Sequence, residues 1–503
     1  MKKIKFWKQE IKFYFILNIL IGVFITSASY VYLPFASGKD VLVYFVHFVL
    51  LHFSLFGFIY LFSLFQKVFK FLFPIFFIIA ASFSFWVFTQ DLSIGTGMIQ
   101  AIIETNLDIA TDVLSYQFFL FVSFAAFSIL FFFKRYYQYM QSNVRSPFFY
   151  LALLGVITFF IVENYKFDAF KKRLPYSIYF GAIEYFKKPS VQLKEVNALV
   201  FTKEENLHII LVLGESVRAD HLSLNGYNRL TNPLLSDQGN LISFNNVFTP
   251  FTFTAQSVPQ ILTDISIDDS SKSKAATSLF TLLNKASFQT EWIGNQSLEK
   301  SYKDIIYSNT LVHIIDKFHT FSSFKKQKDA ELLKHFSIDN LNFGNTITTF
   351  HMIGSHWYYN NRIEKEFEVF NPITTSKYLG SLESETLINS YDNTIVYLDY
   401  FLNTLIEKLK KSSKKTLLIY ISDHGETLGE DGKWLHAQEH NASKNPAMLV
   451  WFSNNFKKSF PLEIEKLISK KQDSITTDFL FHSILDISKI ENYKYLKNQS
   501  IFN

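Results

Sequence analysis

The sequence of 503 residues contains no cysteine, which excludes disulfide bonds and thiolate metal ligands. Charge is also scarce, since 18% of the residues are Asp, Glu, Lys or Arg and the formal net charge is +5. A charge this small, with Lys and Glu interspersed, argues against a nucleic-acid-binding protein. The chain is too long for one ordinary core, so we expect at least two domains.

Phenylalanine is abundant and unevenly distributed, with 32 of the 58 in the first 160 residues. A helix needs roughly 20 apolar residues to span the hydrocarbon of a bilayer. Apolar runs of about this length fall near residues 13 to 33, 41 to 65, 69 to 88, 116 to 133 and 147 to 162. The first run lacks a small-residue cleavage site, which indicates a retained anchor. The sequence therefore predicts a five-helix transmembrane domain at residues 1–163.

The loops between these runs alternate in their content of Lys and Arg. Basic residues precede the first run and follow the second and the fourth: Lys2, Lys3, Lys5, Lys8, Lys12, Lys67, Lys70, Lys134, Arg135 and Arg145. Loops rich in Lys and Arg stay in the cytoplasm, so an odd number of spans predicts that the chain after about residue 163 lies outside. His47 and His52 in the second run are five residues apart, so we interpret them as tolerated or interfacial groups on different helix sides.

Residues 164–205 form a predicted linker between the membrane domain and the rest of the chain. Its segment KFDAFKKRLPYSIYFGAIEYFKK interleaves basic and aromatic residues. This composition is typical of a helix in the headgroup interface. An amphipathic surface helix of the soluble domain would give the same pattern, and the sequence does not decide between the two.

From residue 206 the pattern becomes that of an α/β domain, which we place at 206–503. The apolar runs LHIILVLG and TLLIYIS predict buried strands of a central, mostly parallel sheet, and Glu215 and the pair Asp423-His424 follow them directly. Ligands bind beyond the carboxyl ends of such strands, so these side chains are predicted to converge. They would suit Zn²⁺ or, as a second choice, Mn²⁺. Capping of the following helices is the structural alternative for each stretch alone.

Five motifs together resemble the lipid A phosphoethanolamine transferases, a family that includes the mobile colistin-resistance enzymes. In chain order they are LVLGESVRADHLSLNGYNRLTNP, FTAQSVPQIL, HMIGSHWYYNNR, SYDNTIVYLDYFL and YISDHGETLGEDGKWLH. The resemblance implies an inner-membrane protein whose periplasmic domain has the alkaline phosphatase/sulfatase fold. It covers nearly the whole chain.

The resemblance also implies a zinc site and a nucleophile. The match places the zinc ligands at Glu215, Thr254, Asp423 and His424, with Thr254 as nucleophile. A metal lowers the pKa of a bound hydroxyl, which makes this role physically coherent, and the segment after Thr254 predicts a helix start that favours a phosphate. Ser216, next to Glu215, is a rival nucleophile.

Further residues match positions that bind substrate or a second zinc in the family. The histidines are His351, His356 and His436, and the remaining positions are Thr105, Asn295, Gln296, Ser297, Lys300 and Glu426, the last near the amine of the donor. The implied reaction moves phosphoethanolamine from phosphatidylethanolamine to Thr254 and then to a lipid A phosphate. We expect a monomer with one tightly bound zinc ion, and a second zinc stays open.

Several positions depart from the family pattern. Trp357 and Tyr358 replace a Gly-Pro turn, Ile109 replaces a glutamate, and the family's disulfides are absent. His440 is an added histidine, interpreted either as a phosphate or metal contact or as a surface residue. These departures leave the acceptor open.

Other functions compete with this interpretation. A phosphoglycerol transferase acting on a membrane glycan and a phosphoethanolamine transferase for another surface glycan stay as alternatives. A sulfatase is disfavoured because Ser257-Val258-Pro259-Gln260-Ile261 lacks the arginine of the formylglycine motif. A non-enzymatic scaffold is disfavoured because all four presumed ligands are present.

Overall fold

The computed structural model describes most of the chain, in the ranges 2–33, 36–90, 94–104, 114–137, 147–166, 168–187, 191–268, 275–315, 327–338, 344–378, 381–436 and 439–503. It divides into two compact units. The first is built mainly on the chain up to Lys187, and the second mainly on the chain after it.

The first unit is helical throughout its described residues. Its helices are α1 (Lys2–Phe24), α2 (Gly38–Ser63), α3 (Gln66–Gln90), α4 (Thr96–Glu104), α5 (Tyr116–Tyr136), α6 (Pro147–Tyr165) and α7 (Tyr176–Lys187), with a 3-10 turn at Thr26–Tyr30. Helix α7 falls in the predicted linker and belongs to the first unit, so it is not a surface helix of the α/β domain.

The prediction of five spans is wrong for the described residues, which contain four helices long and apolar enough to cross a membrane. These are Gly38–Ser63, Gln66–Thr89, Tyr116–Tyr136 and Pro147–Tyr165. Helix α1 differs because Lys8, Glu10 and Lys12 occupy its first half. It also ends at Phe24, inside the apolar run that the sequence presents as one span.

Small residues let two of the spans approach closely. A Cβ on Gly57 of α2 would meet the Ala152 carbonyl oxygen at 2.5 Å, and a Cβ on Gly155 of α6 would meet the Phe53 carbonyl oxygen at 2.5 Å. Such contacts between backbones are typical of membrane helix pairs, where van der Waals packing drives association. Substitution of either glycine is therefore expected to separate α2 from α6.

Both intramembrane histidines have hydrogen-bond partners in this unit. His47 Nδ1 lies 2.7 Å from the Tyr30 hydroxyl, and His52 Nε2 lies 2.7 Å from Thr26 Oγ1. The second ring nitrogen of His52 is 3.2 Å from Asn18 Oδ1. These bonds satisfy polar groups that would otherwise be costly in hydrocarbon.

The second unit is an α/β domain around one mixed sheet of seven strands. The order across the sheet is β3, β11, β8, β2, β7, β5, β6. Strand β11 runs in the direction opposite to the other six strands. The sheet strands are β2 (Leu207–Gly214), β3 (Leu241–Phe244), β5 (Phe288–Gly294), β6 (Leu311–Ile314), β7 (Asn345–His351), β8 (Lys415–Ser422) and β11 (Met448–Phe452). The predicted mostly parallel sheet is thus confirmed in part.

Short strands and helices complete this unit. The strands are β1 (Phe201–Thr202), β4 (Val247–Phe248), β9 (Thr427–Leu428), β10 (Trp434–Leu435), β12 (Ile475–Thr476) and β13 (Ile490–Glu491). The helices are α8 (Pro233–Ser236), α9 (Thr254–Ile261), α10 (Leu279–Lys285), α11 (Lys303–Ile306), α12 (Ser384–Leu409), α13 (Asn454–Ser459), α14 (Pro461–Ser469) and α15 (Phe479–Ile487).

The central strands are buried on both faces, as their unbroken apolar sequences predict. Every residue of β2 is buried, and so is every residue of β8 except Lys415. Strands β2 and β8 are parallel neighbours in register, with Gly214 opposite Ser422. The residues that follow these two strands therefore leave the sheet side by side.

Candidate metal centre

The acid and imidazole groups at the strand ends do converge. Glu215 follows β2 and Asp423 follows β8, and the Asp423 amide continues the ladder by donating to the Gly214 carbonyl at 3.2 Å. Donor atoms of Glu215, Asp423 and His424 all lie within 4.8 Å of one another, and all three residues are buried. The predicted convergence of these three side chains follows from the parallel register of two adjacent strands.

The hydrogen bonds of His424 leave one ring nitrogen suited to a metal. Nδ1 lies 2.8 Å from the Gly425 carbonyl oxygen, which only accepts, so Nδ1 carries a proton. Nε2 faces Glu215 Oε1 at 3.3 Å and Asp423 Oδ2 at 3.4 Å. A backbone carbonyl that fixes the far nitrogen of a histidine is the usual support of a metal ligand.

Two polar atoms of the cluster lack hydrogen-bond partners among the described residues. These are His424 Nε2 and Asp423 Oδ2, both fully buried. The other Asp423 oxygen accepts from the amides of His424 at 2.8 Å and Ser216 at 3.2 Å. Unsatisfied buried atoms are rare in native folds, and two carboxylates with one imidazole nitrogen fit a divalent cation such as zinc.

Electrostatics show how tightly these groups interact. Burial and the charge of Glu215 raise the pKa of Asp423 to about 7. Burial opposes protonation of His424, yet Asp423 and Glu215 raise the pKa of its ring to about 10. Burial also opposes ionisation of Glu215, but the positive charge of a protonated His424 ring, 3.3 Å away, holds the pKa of Glu215 well below its ordinary value. Without metal, a proton on His424 is the positive charge that the two carboxylates share.

The candidate nucleophile lies at this cluster. Thr254 is the first residue of α9, and its Oγ1 donates to Glu215 Oε2 at 2.7 Å. The predicted helix start after Thr254 is confirmed, and Thr254 is half-buried rather than enclosed. A hydroxyl that is reachable and bonded to a metal-binding carboxylate is suited to attack on phosphorus.

Ser216, the rival nucleophile, has a different role in the geometry. Its side chain is fully buried, and its Oγ donates to Glu215 Oε1 at 2.8 Å. Its backbone has a φ of 60°, and its carbonyl accepts from the Tyr391 hydroxyl at 2.7 Å. Ser216 therefore orients Glu215 and Asp423 by hydrogen bonds, and its buried hydroxyl is not accessible to a substrate.

A loop after β7 packs directly on Glu215, one of the predicted metal ligands. The Ser355 amide donates to the Glu215 carbonyl at 2.9 Å. Gly354 has a φ of 49°, and a Cβ there would meet the Glu215 carbonyl oxygen at 2.8 Å and its amide nitrogen at 2.9 Å. Only glycine fits this backbone conformation at this distance.

Asp329, which carries no sequence motif, holds this loop and a second one. Its Oδ1 accepts from Asn295 Nδ2 at 2.8 Å and from the Ile353 amide at 3.0 Å. Its Oδ2 accepts from the Gly354 amide at 2.9 Å. The loop of Asn295 also carries Gln296, whose Nε2 donates to the Met352 carbonyl at 2.7 Å and to Glu215 Oε2 at 3.3 Å. Asp329 thus supports Glu215 through both loops.

Three histidines stand in a row beside the cluster. The ring of His436 lies 5.6 Å from that of His424 and 5.2 Å from that of His356, measured between centroids. Burial and the neighbouring His436 lower the pKa of His356 to about 3, so His356 is neutral at pH 7. Its Nδ1 lies 2.7 Å from the Trp357 carbonyl, which leaves Nε2 as an acceptor. Arg362 Nε, in turn, donates to the His356 carbonyl at 2.8 Å.

Glu426 is the acid nearest to His436. Its carboxylate is fully buried, both oxygens lack hydrogen-bond partners among the described residues, and Oε2 lies 3.8 Å from His436 Nδ1. Burial opposes protonation of His436, but the nearby negative charge of Glu426 raises the pKa of His436. An unsatisfied buried carboxylate of this kind suits a cation, either an ammonium group or a metal.

The other predicted substrate residues are placed differently. His351 packs against the rings of Trp292 and Tyr302, 5.2 and 5.9 Å away, and Asn295 donates to Asp329 instead of pointing to a ligand. Ser297 accepts from the Tyr302 hydroxyl through its carbonyl at 3.2 Å, and Lys300 is half-buried nearby in the chain. Thr105 and Ile109 lie outside the described residues.

A further acid near the centre escapes the sequence motifs. Burial raises the pKa of Glu299 to about 8, and the charges of Glu215 and Asp423 contribute to this shift. No spacing marks Glu299 in the sequence, because only folding brings its loop within electrostatic reach of the metal-binding acids. With a pKa of about 8, the Glu299 carboxyl is mostly protonated at pH 7.

The departures from the family motif have structural explanations. Trp357 is 1% exposed and Tyr358 9%, so both aromatic side chains turn into the protein instead of shaping an acceptor surface. His440 Nδ1 accepts from the Ala442 amide at 3.1 Å and caps the short turn that follows. The interpretation of His440 as a structural residue fits this bond.

The fold and the site together define a membrane-anchored protein with a metal-binding domain of the sulfatase class. The family model described as Sulfatase matches residues 208–490, and the model for phosphoethanolamine transferase EptA/EptB matches residues 51–173. Phosphoethanolamine transferase EptA of Escherichia coli strain K12 is 32% identical over 305 residues, 58% of this chain and 55% of that protein. The alignment therefore reaches about half the length of that relative.

Solved structures show the same fold. Lipooligosaccharide phosphoethanolamine transferase A (EptA) from Neisseria meningitidis, an integral membrane protein, superposes with a TM-score of 0.83 over 97% of this chain and 98% of that one, at 22% identity. The C-terminal periplasmic domain of EcEptC from Escherichia coli, in complex with Zn, gives a TM-score of 0.54 over 62% of this chain and 90% of that one, at 24% identity. The chain belongs to the sulfatase family, and its N-terminal part matches the model for phosphoethanolamine transferase EptA/EptB.

Proposed function

We propose that this protein transfers phosphoethanolamine from phosphatidylethanolamine to a phosphate of lipid A, through a covalent intermediate on Thr254. The observation that carries the proposal is the hydrogen bond from Thr254 Oγ1 to Glu215 Oε2. It lies in a cluster in which His424 Nε2 and Asp423 Oδ2 lack hydrogen-bond partners among the described residues and could bind a cation. Similarity to the phosphoethanolamine transferases indicates the substrate class, a lipid that carries phosphoethanolamine. Both substrates are lipids, which accounts for four candidate spans on the same chain.

Glu215, Thr254, Asp423 and His424 would hold one zinc ion. When bound, zinc neutralises charge on the transferring group and favours ionisation of a bound hydroxyl. The chain supports these ligands through Ser216, Gln296 and Gly354, which fix the position of Glu215. A second zinc at His356, His436 and Glu426 would compete with the ammonium group of the donor for the same carboxylate.

In the first step Thr254 Oγ1 forms a bond to phosphorus, and the bond from phosphorus to the glycerol oxygen breaks. Diacylglycerol leaves as an alcohol, so one proton passes from the threonine hydroxyl to the leaving oxygen. The Thr254 proton starts on the bond to Glu215 Oε2, 2.7 Å long. In the second step an oxygen of the lipid A phosphate displaces Thr254, which returns to a hydroxyl.

The donor headgroup would bind through complementary charge. Glu426 offers both carboxylate oxygens, without partners among the described residues, to the ammonium group. His356, neutral and with Nε2 as an acceptor, would take a hydrogen bond from the same end of the headgroup or from the acceptor. We assign the catalytic role to the domain at 206–503 and the lipid-facing role to residues 1–163, with 164–205 between them.

The side of the membrane follows from the loops and does not need an odd span count. Lys67 lies in the first turn of α3, and Lys134 and Arg135 lie at the end of α5. Helix ends rich in Lys and Arg stay in the cytoplasm, so α6 crosses the membrane from the cytoplasm to the outside. The chain after α6 then lies outside, whether or not α1 spans the membrane. We therefore propose a bacterial inner-membrane protein with its catalytic domain in the periplasm.

The test is mass spectrometry of lipid A from cells with and without the gene. We expect a phosphoethanolamine increment that disappears with Thr254→Ala and persists with Thr404→Ala, whose hydroxyl bonds only the Tyr400 carbonyl. A phosphoglycerol increment instead would establish the alternative transferase. An increment that Thr254→Ala leaves unchanged would refute the proposal. Cells with modified lipid A should bind cationic peptides such as polymyxin more weakly, because the added ammonium group reduces the negative charge.

A further inference from the structure

A small pocket lies in the first unit, well separated in sequence from the metal centre. Its volume is about 120 Å³, and the described residues that line it include two cationic side chains and no acid. The lining residues are Ala28, Ser29, Tyr32, Leu33, Val87, Ile94, Lys172, Arg173, Leu174 and Ser177. A cavity needs about 10 to 15 Å³ of this volume to hold one water molecule, so the pocket has room for a tetrahedral anion.

Two polar groups of this pocket lack partners among the described residues. Ser177 is 3% exposed, and its hydroxyl has no hydrogen-bond partner. The Nε–H of Arg173 is buried and also has none. Buried donors without acceptors cost free energy, so the pair points to an acceptor that binds between them.

The local backbone adds to the positive field. Ser177 is the second residue of α7, a helix of 12 residues that starts at the pocket. The N-terminal end of a helix favours an anion. The Arg173 guanidinium rests over the Tyr30 ring at 5.9 Å, which holds its position without neutralising it. Lys172 forms an ion pair with Asp168 at 3.3 Å, which partly neutralises its charge. Arg173 is therefore the stronger candidate for binding an anion in this pocket.

The pocket has a definite place across the membrane. Leu33 precedes α2, Val87 is near the end of α3, and Lys172 to Ser177 follow α6. These ends lie opposite the basic turn of Lys67 and the basic end of α5, and thus at the outer headgroup level. The anions concentrated at that level are the phosphates of lipids.

We propose that this pocket binds the phosphate group of a membrane lipid through Arg173 Nε and the Ser177 hydroxyl, at the N-terminal end of α7. The chemistry recognised is a phosphate ester on a lipid, which both the phospholipid donor and the glycolipid acceptor contain. That the bound lipid is a substrate rests on the proposed function, whereas the pocket itself does not. It would hold a lipid at the membrane unit independently of the metal centre.

The experiment is native mass spectrometry of the purified, delipidated full chain after addition of one lipid at a time. The probes are phosphatidylethanolamine, lipid A and diacylglycerol, which lacks phosphate, and inorganic phosphate serves as competitor. Arg173→Gln and Ser177→Ala are compared with Arg135→Gln, an exposed guanidinium at the opposite membrane side, and with Ser82→Ala, whose hydroxyl bonds Ile78 within its helix. Thermal unfolding confirms that each variant folds.

We expect the wild type and both controls to retain a phosphate-bearing lipid about tenfold better than Arg173→Gln or Ser177→Ala, since one charge-assisted hydrogen bond corresponds to about that factor. Retention of diacylglycerol to the same degree, equal retention by all variants, or full displacement by inorganic phosphate would overturn the proposal. The two phosphate lipids identify donor or acceptor. Transfer of the headgroup is measured in parallel. Retention of a phosphate lipid without transfer would refute the proposed function but not the phosphate pocket. Transfer without retention of a phosphate lipid would refute the phosphate pocket but not the proposed function.

Discussion

Asp329→Asn tests how the candidate metal centre is supported, because Asp329 is not one of the predicted ligands and bonds the two loops beside Glu215. Its two oxygens accept three hydrogen bonds, from Asn295, Ile353 and Gly354. Asparagine has one oxygen, so in either orientation its amide group faces at least one N–H donor. The substitution keeps the size of the side chain and removes its charge.

The magnitude follows from the bonds that are lost. One hydrogen bond to a charged acceptor contributes about 1.5 to 3 kcal/mol, and a buried N–H left unpaired adds to the cost. We therefore expect the second unit to lose about 2 to 5 kcal/mol of its free energy of unfolding. Because Gly354 and Gln296 position Glu215, zinc affinity should also fall by about tenfold to a hundredfold, as for other supports of metal ligands.

Asp399→Asn is the matched control. Asp399 is buried and accepts from the Leu234 and Leu235 amides at 2.9 Å, one on each oxygen, so asparagine again opposes one N–H. Both variants should lower the midpoint of thermal unfolding. Only Asp329→Asn should weaken zinc binding, measured by competition with a chelator on folded protein. Equal zinc affinities for the two variants would show that the Asp329 bonds do not support the centre.

Three further predictions concern the same structure. Gly354→Ala should abolish zinc binding, whereas Gly344→Ala, with a φ of 61° and no described atom within 4 Å of the new Cβ, carries only the backbone strain; metal content of the two proteins checks this, and equal loss would contradict it. Zinc binding at pH 7 should release about one proton from His424, whose pKa is raised to about 10 by Asp423 and Glu215, and about half a proton from Asp423, whose pKa is raised to about 7. The proton on His424 stabilises the metal-free fold below pH 6.5, and this contribution is lost as pH rises towards 10. Calorimetry in buffers of different ionisation enthalpy measures the release, and His356→Gln should leave it unchanged since His356 is already neutral. Single cysteines in this cysteine-free chain should react with an impermeant maleimide added to spheroplasts, which are cells with an intact inner membrane and an opened outer membrane, at Lys172→Cys but not at Lys67→Cys; the opposite pattern would invert the topology.

The candidate site was predictable where local sequence carries the signal. LHIILVLG and TLLIYIS have the unbroken apolar pattern of strands buried on both faces, and the acids stand directly after them. The position of Glu215 beside Asp423 then follows from the parallel register. The helix start at Thr254 also agrees with its sequence, but the assignment of Thr254 as nucleophile came from family resemblance, and the structure adds only its bond to Glu215.

The prediction of five spans failed because hydropathy averages over a window and does not show where a helix ends. The apolar run after Lys12 looks long enough to cross a bilayer, yet α1 ends at Phe24 and a 3-10 turn follows. Likewise, the basic and aromatic pattern of the linker fits an interfacial helix and a soluble one equally well. Only packing assigns α7 to the first unit.

The sequence by itself determined that the chain has an apolar helical part and an α/β part, and it identified the strands that precede Glu215 and Asp423. It also identified the family that its motifs resemble. Hydrophobic periodicity and motif order are local properties, so no tertiary structure is needed for these conclusions. The tertiary structure alone decided that Asp329 supports Glu215 through two loops, that Ser216 is closed to substrate, and that Arg173 and Ser177 share a pocket with Leu33 and Val87. These relations join residues tens to hundreds of positions apart, and no spacing along the chain records them, since they arise only when packing brings distant loops to one place.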